Sequence, residues 1–312
     1  MQLIRGLHNL SEEHRGCALT IGNFDGVHLG HLEILKNLNK AARERHLLSC
    51  IMSFEPLPME YFDRQTAPAR LHRIREKWCA LQNADVDYFL CARFNHQLAE
   101  LSADDFINKI LLEKLNVKYL LVGDDFRFGK KRCGDFETLQ QAGKKHGFEV
   151  HNTDSVCYQD ERISSTRIRQ ALMQNQLTHA EKMLGQPYQI CGRIAHGDKR
   201  GRTIGFPTAN IKLHRHATAV HGVYAVHMTG ENNLSANGVA NIGKRPTVDG
   251  QHLQLEVHLF DFDKEIYGQK VCVEFKQKIR DEKRFNSFDE LKQQIIKDSK
   301  QAKDFFASKT DK

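Results

Sequence analysis

The sequence has 312 residues, enough for two domains that each bury a core, and its 40% hydrophobic and 27% charged residues are ordinary for a globular protein. No uninterrupted apolar run approaches the roughly 18 residues that a membrane span needs, and Arg5 and His8 interrupt the N-terminal segment before a signal-peptide core can form. We therefore expect a cytoplasmic protein without a membrane partner.

The 8 cysteines are scattered, without a Cys-x-x-Cys pair, and most lie within apolar runs, as Cys50, Cys91 and Cys272 do. This pattern is typical of reduced core thiols and not of a disulfide framework or a cysteine metal site.

The net charge of +7 is uneven along the chain. From Gly185 onward there are 21 Lys plus Arg against 15 Asp plus Glu, which leaves 25 against 24 before it. A solvated basic surface and a surface that attracts a polyanionic substrate or nucleic acid are both compatible with this surplus.

The first part of the chain opens with a predicted strand, turn and helix. An apolar run over 17–21 leads into Gly22-Asn23-Phe24-Asp25-Gly26-Val27-His28-Leu29-Gly30-His31, and leucines at helical spacing follow. Free N–H groups at a helix start attract anions, and glycines let the backbone approach a phosphate. His28 and His31 lie three residues apart on one helical face, so both can point at one phosphate. A structural turn with surface histidines is the alternative, but the density of His and Gly favours phosphoryl or nucleotidyl transfer.

Strand-like and helical patterns then alternate. Strands are predicted over 47–54, 88–94, 119–123 and 148–152, and helices over 32–45, 73–84, 103–116 and 136–146. Ser102 with Asp105 three residues later predicts an N-cap for the third helix. Such alternation predicts a parallel sheet with helices on both faces and a ligand at the carboxyl ends of the strands.

Two further segments follow strand or turn signals in the first part. The loop 123–132 alternates aromatic and charged residues between glycines, so it could stack a planar ring and bind phosphate, or be a solvated loop. The segment 163–169 places hydroxyls before a helical pattern, either as a simple N-cap or as a second anion site in which Arg169 clamps a leaving pyrophosphate.

Past residue 184 the pattern changes to short strands separated by Gly, Asn and Asp turns, as in an antiparallel barrel or sandwich. These strands are predicted over 188–194, 222–228, 234–242, 253–260 and 270–275. A last helix over 287–306 is capped by Ser287 and places Leu291, Ile295 and Ile296 on one face. We place the domain boundary near residue 185, giving domains 1–184 and 185–312.

The second domain has a basic, glycine-rich segment over 197–210. Thr208 and Asn210 share a face in extended backbone, and their oxygens suit Mg²⁺ together with phosphates. Glu256 lies in an alternating strand, where a carboxylate usually faces water or pairs with a neighbour. If it faced Thr208 and Asn210, it could accept a proton from an alcohol that attacks phosphorus.

Together these segments resemble the bacterial bifunctional riboflavin kinase/FMN adenylyltransferase family, also called FAD synthetase. The resemblance runs nearly end to end and implies a Rossmann-like α/β nucleotidyltransferase domain followed by an antiparallel β-barrel flavokinase domain with a C-terminal helix. The motifs that carry it are 22–31, 123–134, 163–169, Gly205-Phe206-Pro207-Thr208-Ala209-Asn210, 241–247, 256–268, 279–280 and 284–285.

The resemblance implies ATP, riboflavin, FMN and FAD as ligands, Mg²⁺ as cofactor, and a role for each matching residue. His28 and His31 would stabilise the α-phosphate transition state, and Glu256 would be the base of the kinase. The ATP site of the adenylyltransferase would comprise Gly22, Asn23, Asp25, Gly26, Gly30, Ser165, Thr166 and Arg169. The kinase would bind ATP through Gly205, Thr208 and Asn210, of which Thr208 and Asn210 would hold the metal. Flavin would contact Asp125, Phe128 and Pro58. Asp125 stands where the family often has Asn. Pro58 belongs to a different loop, in which Leu57 stands where His is common in the family.

Two other functions remain open from the residues alone. One is a nucleotidyltransferase for another phosphorylated metabolite, such as a pantetheine or choline phosphate, with a structural second half. The other is a basic nucleic-acid-binding module, which would interleave stacking aromatics with basic residues on exposed strands. The barrel motif argues against the first, and the clustering of Lys199, Arg200 and Arg202 in one loop argues against the second, so we expect no nucleic-acid partner.

Overall fold

The computed structural model describes residues 1–195, 205–247 and 250–310. Contacts between residues divide the chain into two compact units, Met1–Pro68 with His72–Ser164 and Ala69–Leu71 with Ser165–Lys312. The domain boundary near residue 185 stays a prediction. The basic loop predicted from Gly197 lies outside the described residues as far as Ile204.

The first unit is built on a six-stranded parallel sheet in the order β1-β4-β3-β2-β5-β6. Its strands are β1 (Gln2–Arg5), β2 (Ala18–Ile21), β3 (Ser49–Glu55), β4 (Tyr88–Arg93), β5 (Tyr119–Val122) and β6 (Glu149–Asn152). Its helices are α1 (Leu29–Glu44), α2 (Pro58–Phe62), α3 (Ile74–Leu81), α4 (His96–Ala99), α5 (Ala103–Asp105), which continues as a π-helix (Phe106–Lys114), and α6 (Phe136–His146). Three 3₁₀ turns (Leu7–Asn9, Glu12–His14 and Lys130–Arg132) and a small hairpin of β7 (Cys157–Tyr158) and β8 (Glu161–Arg162) complete the unit.

The central strands β2 and β5 are buried along their whole length, because helices cover both faces of a parallel sheet. The predicted parallel sheet is thereby confirmed, as is the N-cap of α5, where the Asp105 N–H donates to Ser102 Oγ at 3.0 Å. Because the strands are parallel, the carboxyl ends of β2 and β3 lie on the same edge of the sheet and carry the turn 22–28 and the loop into α2.

The second unit contains a closed antiparallel barrel in the order β10-β13-β12-β11-β14-β9, in which β9 returns to pair with β10. The strands are β9 (Gln189–Ala195), β10 (Ala209–Lys212), β11 (Gly222–Gly230), β12 (Leu234–Thr247), β13 (Gly250–Leu259) and β14 (Lys270–Arg280). Barrel closure decides between the barrel and sandwich that the strand pattern left open. Among the described residues of the same unit are the helices α7 (Ser165–Met173), α8 (Leu177–Leu184) and α9 (Phe288–Thr310).

Helix α9 packs on the barrel through Ala302, Phe305 and Phe306. Ser287 caps it as predicted, since Ser287 Oγ accepts from the Glu290 N–H at 3.1 Å. The predicted apolar face is only partly correct, because Ile296 is 49% exposed.

The expectation that all cysteines are reduced core thiols is wrong. Cys191 on β9 and Cys272 on β14 lie opposite each other in the strand register and form a disulfide. Three of the six free cysteines are exposed (Cys79, Cys133 and Cys157), and only Cys17 and Cys50 are buried. Two cysteines 81 residues apart in sequence meet only through the barrel topology, which spacing along the chain does not reveal.

Candidate active sites

The glycine-rich turn of the first unit connects β2 to α1, with His28 as the N-cap of the helix. His28 Nδ1 accepts a hydrogen bond from the His31 N–H at 3.3 Å. His28 therefore precedes the helix and does not lie on its face, which corrects the predicted helical position. Phe24 and Val27 have positive φ angles of 46° and 42°, although neither is glycine. Such strained backbone clusters at functional sites, so the turn is a candidate site on conformation as well as composition.

The two imidazoles nevertheless lie together, as the sequence predicts. Their rings stack with centroids 3.6 Å apart and planes 16° apart. Because Nδ1 of His28 accepts a backbone hydrogen bond, the neutral His28 ring carries its proton on Nε2. Nδ1 of His31 is buried and has no hydrogen-bond partner within the described part of the chain.

The pKa of His31 lies well below its usual value of 6.5. Burial is the main cause, and electrostatic repulsion between protonated His31 and the neighbouring His28, Lys77 and His72 lowers the pKa further. His31 is thus a neutral imidazole near pH 7, able to donate a hydrogen bond without a fixed charge.

Two other residues of the turn, Asp25 and Asn23, form hydrogen bonds with neighbouring elements. Asp25 is 2% exposed, and its Oδ1 accepts from the His72 N–H at 2.9 Å. The Asn23 carbonyl accepts hydrogen bonds from Lys77 and Ser53. A Cβ on Gly30 would lie 3.2 Å from the His28 ring, so glycine leaves room for the imidazole.

A cluster of aromatic side chains includes the last two residues of α2, a helix in which Pro58 is the first residue. We define the aromatic cluster as Phe54, Tyr61, Phe62 and Phe94, whose neighbouring rings meet edge to face with centroids 5.3–5.8 Å apart. Phe62 is 69% exposed. Sequence reasoning missed Tyr61, Phe62 and Phe94; the adjacent aromatics at 61–62, soon after a predicted strand, were the available signal.

The predicted flavin residues of the loop 123–132 have different environments. Arg162 pairs with Asp125 at 3.1 Å and with Asp124 at 2.9 Å. Phe128 is only 6% exposed, with its ring packed between Phe106 and Phe126. Asp125 is therefore on the surface, whereas Phe128 is part of the core.

Ser165 is the first residue of α7, Thr166 follows it, and Arg169 lies one turn further on. Arg169 Nε donates to the Ala69 carbonyl at 2.7 Å. All three residues fall in the second unit, and their contact with ATP stays a prediction.

The second candidate site is a row of polar side chains on the outer face of the barrel. Along β13, Leu253, Leu255, Val257 and Leu259 are buried, so the alternating residues Gln254, Glu256 and His258 face outward. Asn210 of β10 and Asn241 of β12 lie directly opposite Glu256 on its two sides. Glu256 is thereby centred between two asparagines, and it does share a face with Asn210.

The outward residues on either side of Glu256 contact the segment before and within β10. Gln254 Nε2 donates to Asn210 Oδ1, and Asn210 Nδ2 donates to the Thr208 carbonyl at 3.3 Å. His258 Nδ1 lies 2.9 Å from the Pro207 carbonyl, and its ring meets Phe206 edge-on. Gly205, exposed and with a φ of 85°, begins the described part of this segment. Sequence reasoning missed Gln254, His258 and Asn241 beside Glu256; strand alternation with Glu256 was a usable signal for Gln254 and His258, whereas Asn241 comes from the neighbouring strand β12.

The oxygens of Thr208 and Asn210 are hard donors, which suit Mg²⁺ rather than a transition metal. The described ranges contain no group of three or more His, Cys, Asp or Glu side chains placed to hold a metal ion. As far as the structure is described, every helix is too short or too polar to cross a bilayer.

Comparisons with known proteins cover both units. The FAD synthetase family model matches residues 10–167, and the riboflavin kinase family model matches residues 184–306. A bifunctional riboflavin kinase/FMN adenylyltransferase of Haemophilus influenzae is 54% identical over 99% of this chain and 100% of its own length, and one of Escherichia coli K12 is 52% identical over 98% of each. A crystal structure from Streptococcus pneumoniae, described as a macrolide-efflux protein, matches with a TM-score of 0.77 and 31% identity over 96% of this chain and 97% of that one.

The two matched domains define a transferase that combines a nucleotidyltransferase unit with a kinase barrel. The chain belongs to the bifunctional riboflavin kinase/FMN adenylyltransferase family. It therefore has riboflavin kinase and FMN adenylyltransferase activity, which is the main interpretation of the sequence and not either alternative.

Proposed function

We propose that the two reactions use two separate ATP sites, with the turn 22–31 adenylylating FMN and the outer face of the barrel phosphorylating riboflavin. One observation carries this division: the stacked histidines lie in the first compact unit, and the row centred on Glu256 lies in the second. The two reactions break different bonds of ATP, which is why one site would not serve both.

Adenylylation requires neutralisation of charge more than a base. The phosphate of FMN is already an anion at neutral pH, so its oxygen attacks the α-phosphorus of ATP and pyrophosphate leaves. His28 Nε2–H and the neutral ring of His31 would donate hydrogen bonds to the α-phosphate oxygens, next to the N–H groups at the start of α1. Ser165, Thr166 and Arg169 would hold the departing phosphates.

The aromatic cluster supports a flavin site beside this turn. Its rings lie at the carboxyl end of β3, on the sheet edge that also carries the turn 22–28. Exposed aromatic faces provide stacking area for a planar ring system. Pro58 would act by starting the helix that carries Tyr61 and Phe62, and Asp125 would contribute a polar contact.

Phosphorylation of riboflavin requires a base, because a hydroxyl is a weak nucleophile. The 5′-hydroxyl oxygen would bond to the γ-phosphorus of ATP, ADP would leave, and Glu256 would take the hydroxyl proton. Asn210 lies directly opposite Glu256, and its side-chain oxygen and that of Thr208, two residues earlier, would hold Mg²⁺ with the phosphates of ATP, while His258 would fix Pro207 beside them. Bound Mg²⁺ supplies neutralisation of the phosphate charge. Since both reactions consume ATP, we infer that the protein acts in the cytoplasm.

A pair of variants tests this division in the full-length chain. Purified protein is incubated with Mg²⁺, ATP and either riboflavin or FMN, and the flavins are resolved by chromatography. Glu256→Gln should lose riboflavin phosphorylation by about 100-fold or more, the usual contribution of a general base, and still convert FMN to FAD. His31→Gln should make FMN and lose FAD formation by about 100-fold.

Each variant is the control for the other, because the activity that it keeps demonstrates a folded chain. Loss of both activities in a chain with wild-type thermal stability would contradict separate sites. Absence of FMN and FAD with the wild-type protein would contradict the proposed function altogether.

A further inference from the structure

Lys77 is a buried lysine that contacts the turn of the first unit. It lies on α3 and is 1% exposed. Its Nζ donates hydrogen bonds to the Asn23 carbonyl oxygen at 2.5 Å and to Ser53 Oγ at 3.0 Å. Lysine is among the residue types least often buried, because removing an ammonium group from water is costly. The burial of Lys77 at this position therefore indicates a role beyond apolar packing.

Asn23, Ser53 and Lys77 are joined by three mutual hydrogen bonds. Ser53 Oγ itself donates to the Asn23 carbonyl at 3.2 Å, so that one oxygen accepts from both side chains. Ser53 lies on β3, Lys77 on α3, and Asn23 in the turn after β2. The group therefore ties the turn to the neighbouring strand and helix.

The hydrogen bond from Lys77 to the Asn23 carbonyl lies next to the strained backbone of the turn. The Asn23 carbonyl and the Phe24 N–H belong to one peptide plane, so the bond from Lys77 fixes the plane that precedes the positive φ of Phe24. Val27, a β-branched residue with positive φ, follows three residues later and leads directly into His28. Such conformations persist only where the surroundings over-determine them.

Lys77 also acts on the histidines through its charge. The titratable groups that affect His31 are His28 in the turn, His72 before α3, and Lys77 on α3. The ammonium favours the neutral form of His31 and adds positive potential behind the start of α1, where an anion would bind.

We propose that Lys77 is a positioning residue for FMN adenylylation, whose ammonium group fixes the Asn23 carbonyl and thereby holds the turn in the shape that presents His28 and His31 to ATP. The inference rests on the proposed assignment of this reaction to the turn. It differs from a general structural role in two consequences: the riboflavin kinase reaction is unaffected by Lys77, and the titration of His31 depends on the charge at position 77.

The main test is Lys77→Met, which keeps the length of the side chain and removes the ammonium. We expect kcat/KM for FMN adenylylation to fall about 10- to 100-fold, mostly through a higher KM for ATP, because the turn that binds ATP loses its anchor. Riboflavin phosphorylation by the same preparation should stay within about twofold of the wild-type rate, since the barrel is a separate unit.

Titration of His31 provides a readout that a merely structural lysine would not move. The ring Cε1–H resonance of His31, assigned by its loss in His31→Gln, is followed against pH by NMR of the full-length chain. A positive neighbour lowers the pKa of His31, so Lys77→Met should move the midpoint to higher pH. Ser53→Ala is the matched control: it removes a hydroxyl from the same group, keeps the ammonium, and should leave the midpoint unchanged.

Wild-type adenylylation with an unshifted His31 midpoint in Lys77→Met would overturn the proposal. If Lys77→Met also loses kinase activity, Lys77→Gln decides, because it keeps a donor in the same direction without the charge. A higher His31 midpoint in Lys77→Gln supports the proposal, and an unchanged midpoint overturns it. Wild-type protein that does not convert FMN would instead contradict the proposed function, so the two failures are distinguishable.

Discussion

Gly238 and Gly243 both lie on β12, and the effect of adding a methyl group to each depends on the atoms that the methyl group would meet. A Cβ on Gly238 would overlap the carbonyl oxygen of His258, which is backbone of the adjacent strand β13. A Cβ on Gly243 would overlap only the carboxylate of Glu282, the end of a flexible and exposed side chain. Backbone in a closed barrel cannot move alone, whereas a carboxylate can rotate away.

We therefore expect opposite outcomes from the same substitution at the two positions. Gly238→Ala should destabilise the barrel by about 1–3 kcal/mol, as overpacking does, and should lower riboflavin kinase activity because β13 carries Glu256. Gly243→Ala should stay within about 1 kcal/mol of wild type. Thermal unfolding and the kinase assay measure both, with FMN adenylylation as the control. Equal destabilisation by the two variants would contradict the explanation that Gly238 permits the close approach of β12 and β13.

At the residue scale, the sequence predicts His28 and His31 as candidate site residues but does not predict a role for Lys77. His28 and His31 are visible because they stand among glycines after an apolar run, where few structural roles need them. Lys77 lies in a helical pattern in which a lysine is normally on the solvent face, and only the packing of α3 against β3 turns it inward. A buried charge depends on tertiary contacts, so local pattern does not reveal it.

At the scale of elements, the contact of α9 with the barrel includes a buried ion pair. Arg280 at the end of β14 donates to both oxygens of Asp298, through Nε at 3.0 Å and Nη2 at 2.8 Å, and Gln294 Nε2 donates to the same carboxylate at 2.8 Å. Side-chain exposure is 15% for Arg280 and 4% for Asp298. The same helix forms an exposed pair from Lys303 to Asp261 at 3.8 Å.

Removing one partner of the buried pair leaves a charge without compensation. We expect Asp298→Ala to destabilise the barrel by about 3 kcal/mol, near the lower end for broken buried pairs because Arg280 also donates to the Asp281 carbonyl. Lys303→Ala, on the same helix, should cost less than about 1 kcal/mol because exposed pairs contribute little. The measurement is thermal unfolding with loss of kinase activity as the reporter of the barrel. Similar effects of both variants would contradict the role of burial.

Most elements are predictable from the sequence, but their pairing is not. The strands from β2 to β6 and the helix α6 follow from hydrophobic runs and periodicity, which are local. The edge strand β1 and the short strand β10 were not predicted, because four residues carry little pattern of their own. The neighbours of Glu256 depend on β13 pairing with both β10 and β12, and this register is set by barrel closure over long sequence separations.

At the scale of the whole molecule, the stacked histidines lie in the first compact unit and the row centred on Glu256 lies in the second. Both domains were predictable because their motifs occur in order along the sequence, each within its own pattern of strands and helices. What the sequence leaves open is whether FMN made by one chain must be used by that chain. Transfer through solution is the expected route, since FMN is a small anion that the kinase site has to release before another riboflavin binds.

This transfer is testable with the two single-site variants in one tube. Glu256→Gln supplies an intact adenylyltransferase site, and His31→Gln supplies an intact kinase site. Given riboflavin, ATP and Mg²⁺, neither variant alone should form FAD, whereas the mixture should, because FMN from one chain reaches the other. FAD should follow a lag in which free FMN accumulates, and dilution of both variants should lengthen the lag. The contrary result is a mixture that stops at FMN although each variant performs its own half-reaction. It would show that FMN passes only within a chain. Such passage would require a path between the sites that free diffusion does not provide.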